Sequence, residues 1–388
     1  MRQFSFFDGR KNFKIEKPIR LIELFAGIGS QAKALENLGA NFESWFVCEK
    51  DEYCINSYNA IHGTKYETSD IKNLKAKDLN IVDTENFCYV LTYSFPCVDI
   101  STCGRQKGIN KEEETDSGLI WEVERIMCEL EVLPQVLLLE NVPQLFSGEN
   151  IKNFSFFISK LEKLGYKNYW KVLNSLDYGV PQDRKRVFMV SLLGDYYYDF
   201  PKAIPLKTKM KDLLLENVAE KYYVSKKGVE YIFKRADYYS RVLTEKDEFL
   251  PCAITANGNF NWTGNFICEL KKEISKGIQN KALAEIVDKI ELEKTLALDT
   301  YNQITHEDYF QTIRASIGNR NADYLYENYA IRKLCPQECF RFMGFSDKDF
   351  MKASGIGTSD FQLYKQAGNS IVVDVLMAIF NNLLGATK

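Results

Sequence analysis

Apolar and polar positions along the first half of this chain follow two rhythms that take turns. RLIELFAGIGS reads as a buried strand, a glycine turn and the entry to the helix QAKALENLG. SWFVCE predicts a second strand, with a helix behind it from Asp51 to about Ile61. YVLTYSF predicts a third, which stops abruptly at Pro96-Cys97. In DSGLIWEVERIMCELE, Leu119, Val123, Ile126 and Leu130 recur at helical spacing, with Asp116 or Ser117 placed to cap the helix. QVLLLENV is a short continuous apolar run, the pattern of a parallel strand covered on both faces. NFSFFISKLEKLG predicts a further helix and RVFMVSLL a further strand. This succession predicts an α/β domain with a doubly wound, mostly parallel sheet over residues 1–195.

The rhythm breaks over residues 196–328. That stretch is rich in Tyr, Asn and Lys, contains the loop TANGNFNWTG, and has an amphipathic helical pattern over residues 270–296, with Ile274, Ile278, Ile286 and Ile290 on one side. Alternation resumes in PQECFRFMGF and QAGNSIVVDVLMAIFNNLL. Residues 196–328 therefore read as a smaller, irregular second domain, and residues 329–388 as a segment that returns to the first.

Composition narrows the classes. The chain has 388 residues, 45% hydrophobic and 27% charged, as expected of a globular protein, and no apolar run approaches the roughly 18 residues of a membrane span. Its start, MRQFSFFDGRKNFK, lacks the apolar core of a signal peptide, so a reducing cytosol and free thiols are expected for its 10 cysteines. No Cys pair has zinc-like spacing and there are only 2 His, so no metal site is expected. The net charge of −3 gives no support to a nucleic-acid partner, though a local basic cleft remains compatible with it.

Candidate chemistry sits at strand ends, where open parallel sheets bind ligands. Gly27-Ile28-Gly29-Ser30-Gln31-Ala32 fits G-x-G-x-x-G/A between a strand and a helix, and Glu49 lies 20 residues beyond Gly29 at the end of the next strand. An acid there suits the ribose of NAD or of S-adenosylmethionine, so the loop alone leaves a dehydrogenase and a methyltransferase open. Pro96-Cys97 and Glu140-Asn141-Val142 also follow strands at once, which brings a thiol, a carboxylate and a cofactor loop to one rim. Before the last strand, QDRKR supplies Arg184 and Arg186, spaced to point the same way if extended. A lone Cys at a strand end is more often a small core residue than a nucleophile. A nucleophile needs nearby cations such as Lys107 or these arginines, and a carboxyl kept protonated could donate to a ring nitrogen.

With these residues in place, the sequence resembles the cytosine-5 DNA methyltransferases over residues 21–191 and 331–380. ELFAGIGS looks like the family's cofactor loop, SFPCVDIS its nucleophile motif, ENV its acid motif and QDRKR its Q-x-R-x-R motif; RKLCPQECFRFMGF and QAGNS look like its two late motifs. The resemblance implies a Rossmann-like, S-adenosylmethionine-dependent fold with a target-recognition domain, acting on double-stranded DNA by base flipping. It makes Cys97 the nucleophile toward cytosine C6, Glu140 the residue at N3 and N4, Arg186 the contact to O2 and Arg184 an electrostatic support. Phe25, Gly27, Ile28 and Gly29 would line the methionine side of the cofactor, Glu49 its ribose, Lys50, Asp70 and Ile71 its adenine, with Pro96, Leu119, Asn369 and Ser370 completing the pocket. CVDISTCGRQKG resembles the loop that closes over DNA. Two positions depart from the pattern: Val98 stands where Gln is common, and Lys50 where a bulky apolar residue is common. A prokaryotic or phage restriction-modification setting is implied, with a separately acting restriction endonuclease, a monomer on DNA, no membrane, and a cytoplasmic, nucleoid-associated location. A tRNA methyltransferase of the same superfamily is the alternative. Such relatives usually carry Cys-Phe-Thr, whereas Cys339-Phe340 is followed here by Arg341. A non-catalytic DNA-binding relative would not need Cys97, Glu140 and Arg186 together, and a dehydrogenase leaves Cys97, ENV and the GNS segment unexplained.

Overall fold

Six strands form the sheet on which everything else is mounted. The computed structural model describes residues 10–97, 99–100, 108–109, 115–148, 150–225, 227–228, 242–243, 247–251, 253–256, 265–270 and 329–385. In chain order the first elements are β1 (Lys11–Asn12), β2 (Ile19–Leu24), α1 (Ser30–Asn37), β3 (Phe42–Cys48), α2 (Glu52–His62), β4 (Cys88–Tyr93), α3 (Ile120–Glu129), β5 (Val136–Asn141), α4 (Asn150–Lys163), β6 (Tyr166–Asn174) and β7 (Lys185–Leu193). Sheet order is β3-β2-β4-β5-β7-β6. The strands β3, β2, β4 and β5 are mutually parallel, while β7 runs antiparallel to both β5 and β6.

The continuous apolar runs of β4 and β5 are buried at every position. Their neighbours sort by period 2 into two cores. Leu21, Val90, Leu138 and Phe188 face one, and Ile22, Leu91, Leu139 and Val187 the other. The sheet is thus the expected α/β one, with two departures. The run before Asn141 is parallel to β4 only, because β7 returns antiparallel on its other side. The strand β6 is not evident in YKNYWKVLN, whose exposed and buried positions do not alternate, as suits an edge strand.

Capping follows local chemistry for α2, where Asp51 accepts from the Tyr53 and Cys54 N–H groups. For α3 neither Asp116 nor Ser117 makes the expected side-chain cap. A 3-10 turn, Ser117–Leu119, leads into the helix instead.

Beyond the sheet lie β8 (Tyr196–Tyr197), α5 (Met210–Leu213), β9 (Val242–Leu243), β10 (Phe266–Leu270) and β11 (Tyr329–Lys333), then α6 (Pro336–Phe342), α7 (Asp347–Gly355), α8 (Asp360–Asn369) and α9 (Val373–Leu383). β10 pairs antiparallel with β11 and parallel with β9 in a separate three-stranded sheet. Leu270 ends β10; the remainder of the helical pattern at 270–296, and residues 257–264 of the TANGNFNWTG loop, lie outside the described residues. Arg332 on β11 and Glu338 on α6 are both fully buried and joined by two bonds of 2.8 and 3.0 Å. Glu338 also accepts from the Cys335 and Leu215 N–H groups, so the buried charges are saturated.

The C-terminal helices pack back on the helices that begin the chain. The helix α9 packs on α1 and α7 on α2. Lys33 meets Asp349 at 2.9 Å, Lys365 meets Asp51 at 2.7 Å, and the Gln366 amide donates to the Tyr53 carbonyl at 2.9 Å. Among the described residues no helix is long and apolar enough to cross a membrane, and no cluster of His, Cys, Asp and Glu could hold a metal ion.

Candidate active site

The glycine loop turns directly off β2. Phe25 adopts a left-handed φ of 59°, a strained backbone for a non-glycine residue. Gly27 and Gly29 also have positive φ, but for different purposes. A Cβ on Gly29 would lie 2.3 Å from His62 Nε2 and 2.6 Å from the Tyr58 ring, so this glycine lets the loop pack on α2. A Cβ on Gly27 would meet nothing within 4 Å, so this turn faces open space. Ile28 is buried and its carbonyl bonds His62 Nε2 at 3.1 Å. Glu49 accepts from the Gly27 N–H at 2.9 Å and the Asp51 N–H at 2.8 Å, and burial holds its carboxyl above the usual range. Lys50 beside it is exposed. The Ser69 N–H donates to the Glu49 carbonyl, which brings Asp70 and the buried Ile71 alongside; Asp70 accepts from the Lys72 N–H at 3.0 Å.

The thiol and the carboxyl arrive from neighbouring strands. The Asn141 side chain donates to the Phe95 carbonyl at 3.0 Å, fastening the end of β5 to the turn that carries Pro96 and Cys97. Cys97 is half-buried. Burial pushes its thiol pKa up, Glu140 adds to the push, and Arg186 and Arg184 oppose it. Glu140, 8% exposed, is likewise raised by burial and pulled back by the two arginines. Arg186 Nε stands 3.2 Å from Glu140 Oε1. Thiol, carboxyl and guanidinium therefore form one electrostatic unit, in which a change of charge on one moves the others.

Arg184 is placed differently from its neighbour. It precedes β7, and its buried guanidinium donates to the carbonyls of Ile254 (2.6 Å), Gly368 (3.0 Å) and Ser370 (2.9 Å). Burial and the nearby Arg186 lower its pKa to about 9. The two arginines differ in their partners: Arg186, within the strand, meets the Glu140 carboxyl, whereas Arg184, just before it, is held by backbone carbonyls. Gln182 works with Arg184: it accepts from the Ile254 N–H at 2.8 Å and donates to the Phe342 carbonyl at 3.1 Å. Gly368 completes this joint, since a Cβ there would lie 2.1 Å from Ala256 N.

Leu119 is buried directly before α3, and Ser370 is buried at the end of α8, next to the exposed Asn369. The Ile371 N–H donates to Ser30 Oγ at 3.2 Å, which seats the end of α8 on the start of α1. Val98 and residues 101–107, including Lys107, lie outside the described residues. Sequence reasoning did not single out the joint made by Gln182 and Gly368, nor the roles of Asn141 and Ser117 in holding the Pro96-Cys97 turn. Their partners are backbone groups distant in the chain, which leave no side-chain signature.

Solved structures with this fold include an Entamoeba histolytica methyltransferase, EhMeth (TM-score 0.70, 18% identity, covering 96% of this chain and 100% of that one), and the S. pombe Dnmt2 methyltransferase (TM-score 0.65, 17% identity, 94% and 98%). They define the class of fold, an α/β methyltransferase. The model of the C-5 cytosine-specific DNA methylases matches residues 19–385. The type II methyltransferase M2.ScrFI of Lactococcus lactis subsp. cremoris is 32% identical over 94% of this chain and 99% of its own length, and M.HhaI of Haemophilus parahaemolyticus is 32% identical over 94% of each. The chain belongs to the C-5 cytosine-specific DNA methylase family and is a sequence-specific DNA (cytosine-5)-methyltransferase.

Proposed function

We propose that Cys97 is the nucleophile of this methyltransferase and that Glu140 and Arg186 hold the target cytosine. The observation that carries the reading is the coupled unit of a half-buried thiol, a buried carboxyl and a guanidinium 3.2 Å from that carboxyl. Cytosine C6 is out of reach in a stacked duplex, so the base must leave the stack to meet Cys97. Burial favours the protonated form of Glu140, which can donate to N3, while Arg186 binds O2. Protonating Glu140 also removes its negative charge from beside Cys97, which favours the thiolate as the base arrives. Addition of Cys97 to C6 makes C5 nucleophilic. Once C5 has been methylated and has lost its proton, the sulfur departs from C6.

S-adenosylmethionine supplies an electrophilic methyl group when bound. The open space at Gly27 and the carboxylate of Glu49 beside it suit such a ligand. Phe25, Gly27, Ile28 and Gly29 would hold its methionine side, Glu49 its ribose, and Lys50, Asp70 and Ile71 its adenine. Pro96, Leu119, Asn369 and Ser370 would close the pocket. Arg184 supports the site as part of the joint to Ile254, Gly368 and Ser370 as well as by its charge. Residues 196–328 would read the DNA sequence, fixed to the catalytic unit at Ile254 by Gln182 and Arg184. The enzyme would act as a cytoplasmic monomer on double-stranded DNA, any restriction endonuclease being a separate protein.

The test is a duplex in which target cytosines are 5-fluorocytosine, whose C5 fluorine cannot leave as a proton does. The wild type should form a stable adduct that maps to the Cys97 peptide, and Cys97→Ala should form none while still binding DNA. An adduct that persists in Cys97→Ala would assign the attack to another residue.

A further inference from the structure

The turn that carries Cys97 is held by Ser117, which lies outside the nucleophile motif, together with Asp99 within it. Ser117 is fully buried and Asp99 is 1% exposed. The Ser117 hydroxyl donates to the Pro96 carbonyl at 2.7 Å and accepts from the Asp99 N–H at 3.1 Å. In return the Ser117 N–H donates to Asp99 Oδ2 at 3.1 Å. The hydroxyl is therefore used once as donor and once as acceptor, which fixes its rotor. Its partners belong to the peptide groups just before and just after residues 97–98. The Ile100 N–H closes the same turn onto the Cys97 carbonyl at 3.1 Å.

We propose that Ser117 is a positioning residue for Cys97, aimed by Asp99, and that it sets the direction from which the sulfur approaches the base. The proposal rests on Cys97 being the nucleophile. Three observations carry it. A cap of α3 would leave Ser117 pointing at the helix, yet its hydroxyl spans the two flanks of the nucleophile. The arms of the turn are anchored nearby as well: the Gly108 N–H donates to the Asp99 carbonyl at 2.8 Å, and the Trp121 indole donates to the Ile109 carbonyl at 2.9 Å. Ser117 also shares its 3-10 turn with Leu119, so the wall proposed for the cofactor and the peptide that bears the thiol are one rigid piece. Asp99 Oδ1 has no partner among the described residues, a buried cost retained for the bond that its other oxygen makes.

The experiment separates positioning from folding by reading Cys97 addition alone. Without a methyl donor, Cys97 forms a bond to C6, C5 takes a proton from water and loses its own, and the sulfur–C6 bond breaks. Plasmid DNA labelled with tritium at cytosine C5 therefore releases tritium to water. Ser117→Ala should slow this release, and methyl transfer with it, by about tenfold or more, since misplacement of a reacting atom by ~1 Å costs about a hundredfold. The dissociation constants for DNA and S-adenosylmethionine should stay within about threefold, so the loss falls on kcat and not KM. Ser117→Cys, which keeps the shape but donates weakly, should fall between, and it decides by the same criteria if the alanine variant does not fold. Release at the wild-type rate, or slow release matched by equally weakened DNA binding, would overturn the proposal. Tritium release by Cys97→Ala would instead overturn the assignment of the nucleophile.

Discussion

Glu23 offers a quantitative probe of the ground beneath the glycine loop. It lies in β2 with no exposed surface, accepting from the Tyr58 hydroxyl at 2.6 Å and, more weakly, from the Ala32 N–H at 3.4 Å. Burial raises its pKa from 4.5 to about 7, against the pull of Tyr58, His62 and the Ala32 N–H, with Glu36 adding to the rise. The difference between folded and free carboxyl is worth about 3 kcal/mol. The folded pKa is the higher one, so this stability is fully present below the unfolded value of 4.5 and is lost as pH rises through about 7. Glu23→Gln replaces the carboxyl with a neutral group of the same shape that does not titrate. Unfolding free energies of the two proteins should therefore draw apart with pH. Between about pH 4.5 and pH 8 the wild type should lose about 3 kcal/mol relative to the variant, because groups that do not interact with Glu23 titrate alike in both and cancel. Denaturant unfolding at closely spaced pH values, followed by tryptophan fluorescence and circular dichroism together, gives the comparison. Curves that stay parallel across this range would mean that the carboxyl titrates alike in folded and unfolded chains, and the burial argument would fail.

Other sites make sharper demands on geometry. Gly29→Ala places a Cβ 2.3 Å from His62 Nε2 at a left-handed φ, and should cost about 2–4 kcal/mol in thermal unfolding and weaken S-adenosylmethionine binding. Gly27→Ala meets no neighbour, so it should cost only about 1–2 kcal/mol of backbone strain yet still reduce cofactor affinity in calorimetry. Gly368→Ala drives a Cβ into the backbone of Thr255 and Ala256, which cannot give way as a side chain can, and methyl incorporation into plasmid DNA should fall by about a hundredfold. Arg332→Met strands the buried Glu338 and should destabilise the fold by about 3–5 kcal/mol, whereas replacing both partners with apolar residues should recover much of that.

The parts of the molecule that can be read along the chain obey local periodicity or carry their chemistry in adjacent residues. The strands β2, β4 and β5 are apolar runs with abrupt ends; the acid lies at the end of β5, and the thiol and the glycines follow β4 and β2 within a few residues. What cannot be read is set by partners far away. The run of β6 does not alternate, because an edge strand with exposed Trp170 and Val172 has no second neighbour to enforce the pattern. The direction of β7 is decided by its pairing, and its residues give no sign of it. Ser117 looks like a helix cap because Ser commonly caps helices; its actual use depends on a carbonyl 21 residues earlier. Arg184 and Arg186 look equivalent until three carbonyls, two of them from the other end of the chain, claim Arg184.

The return of the C-terminal segment has a consequence for the protein's synthesis. The bond from the Ile371 N–H to Ser30 joins residues 341 apart, and the Lys365–Asp51 and Gln366–Tyr53 contacts span 314 and 313. Closure of such long loops makes folding slow, and it cannot begin until the late residues exist. A ribosome-bound chain that has emerged only as far as β11 already owns its thiol, its acid and its glycine loop, yet lacks Ser370, proposed above to close the cofactor pocket, and two of the three carbonyls that hold Arg184. Prematurely terminated chains are therefore expected to be inert toward DNA, which ties the first methyl transfer to the near-completion of translation.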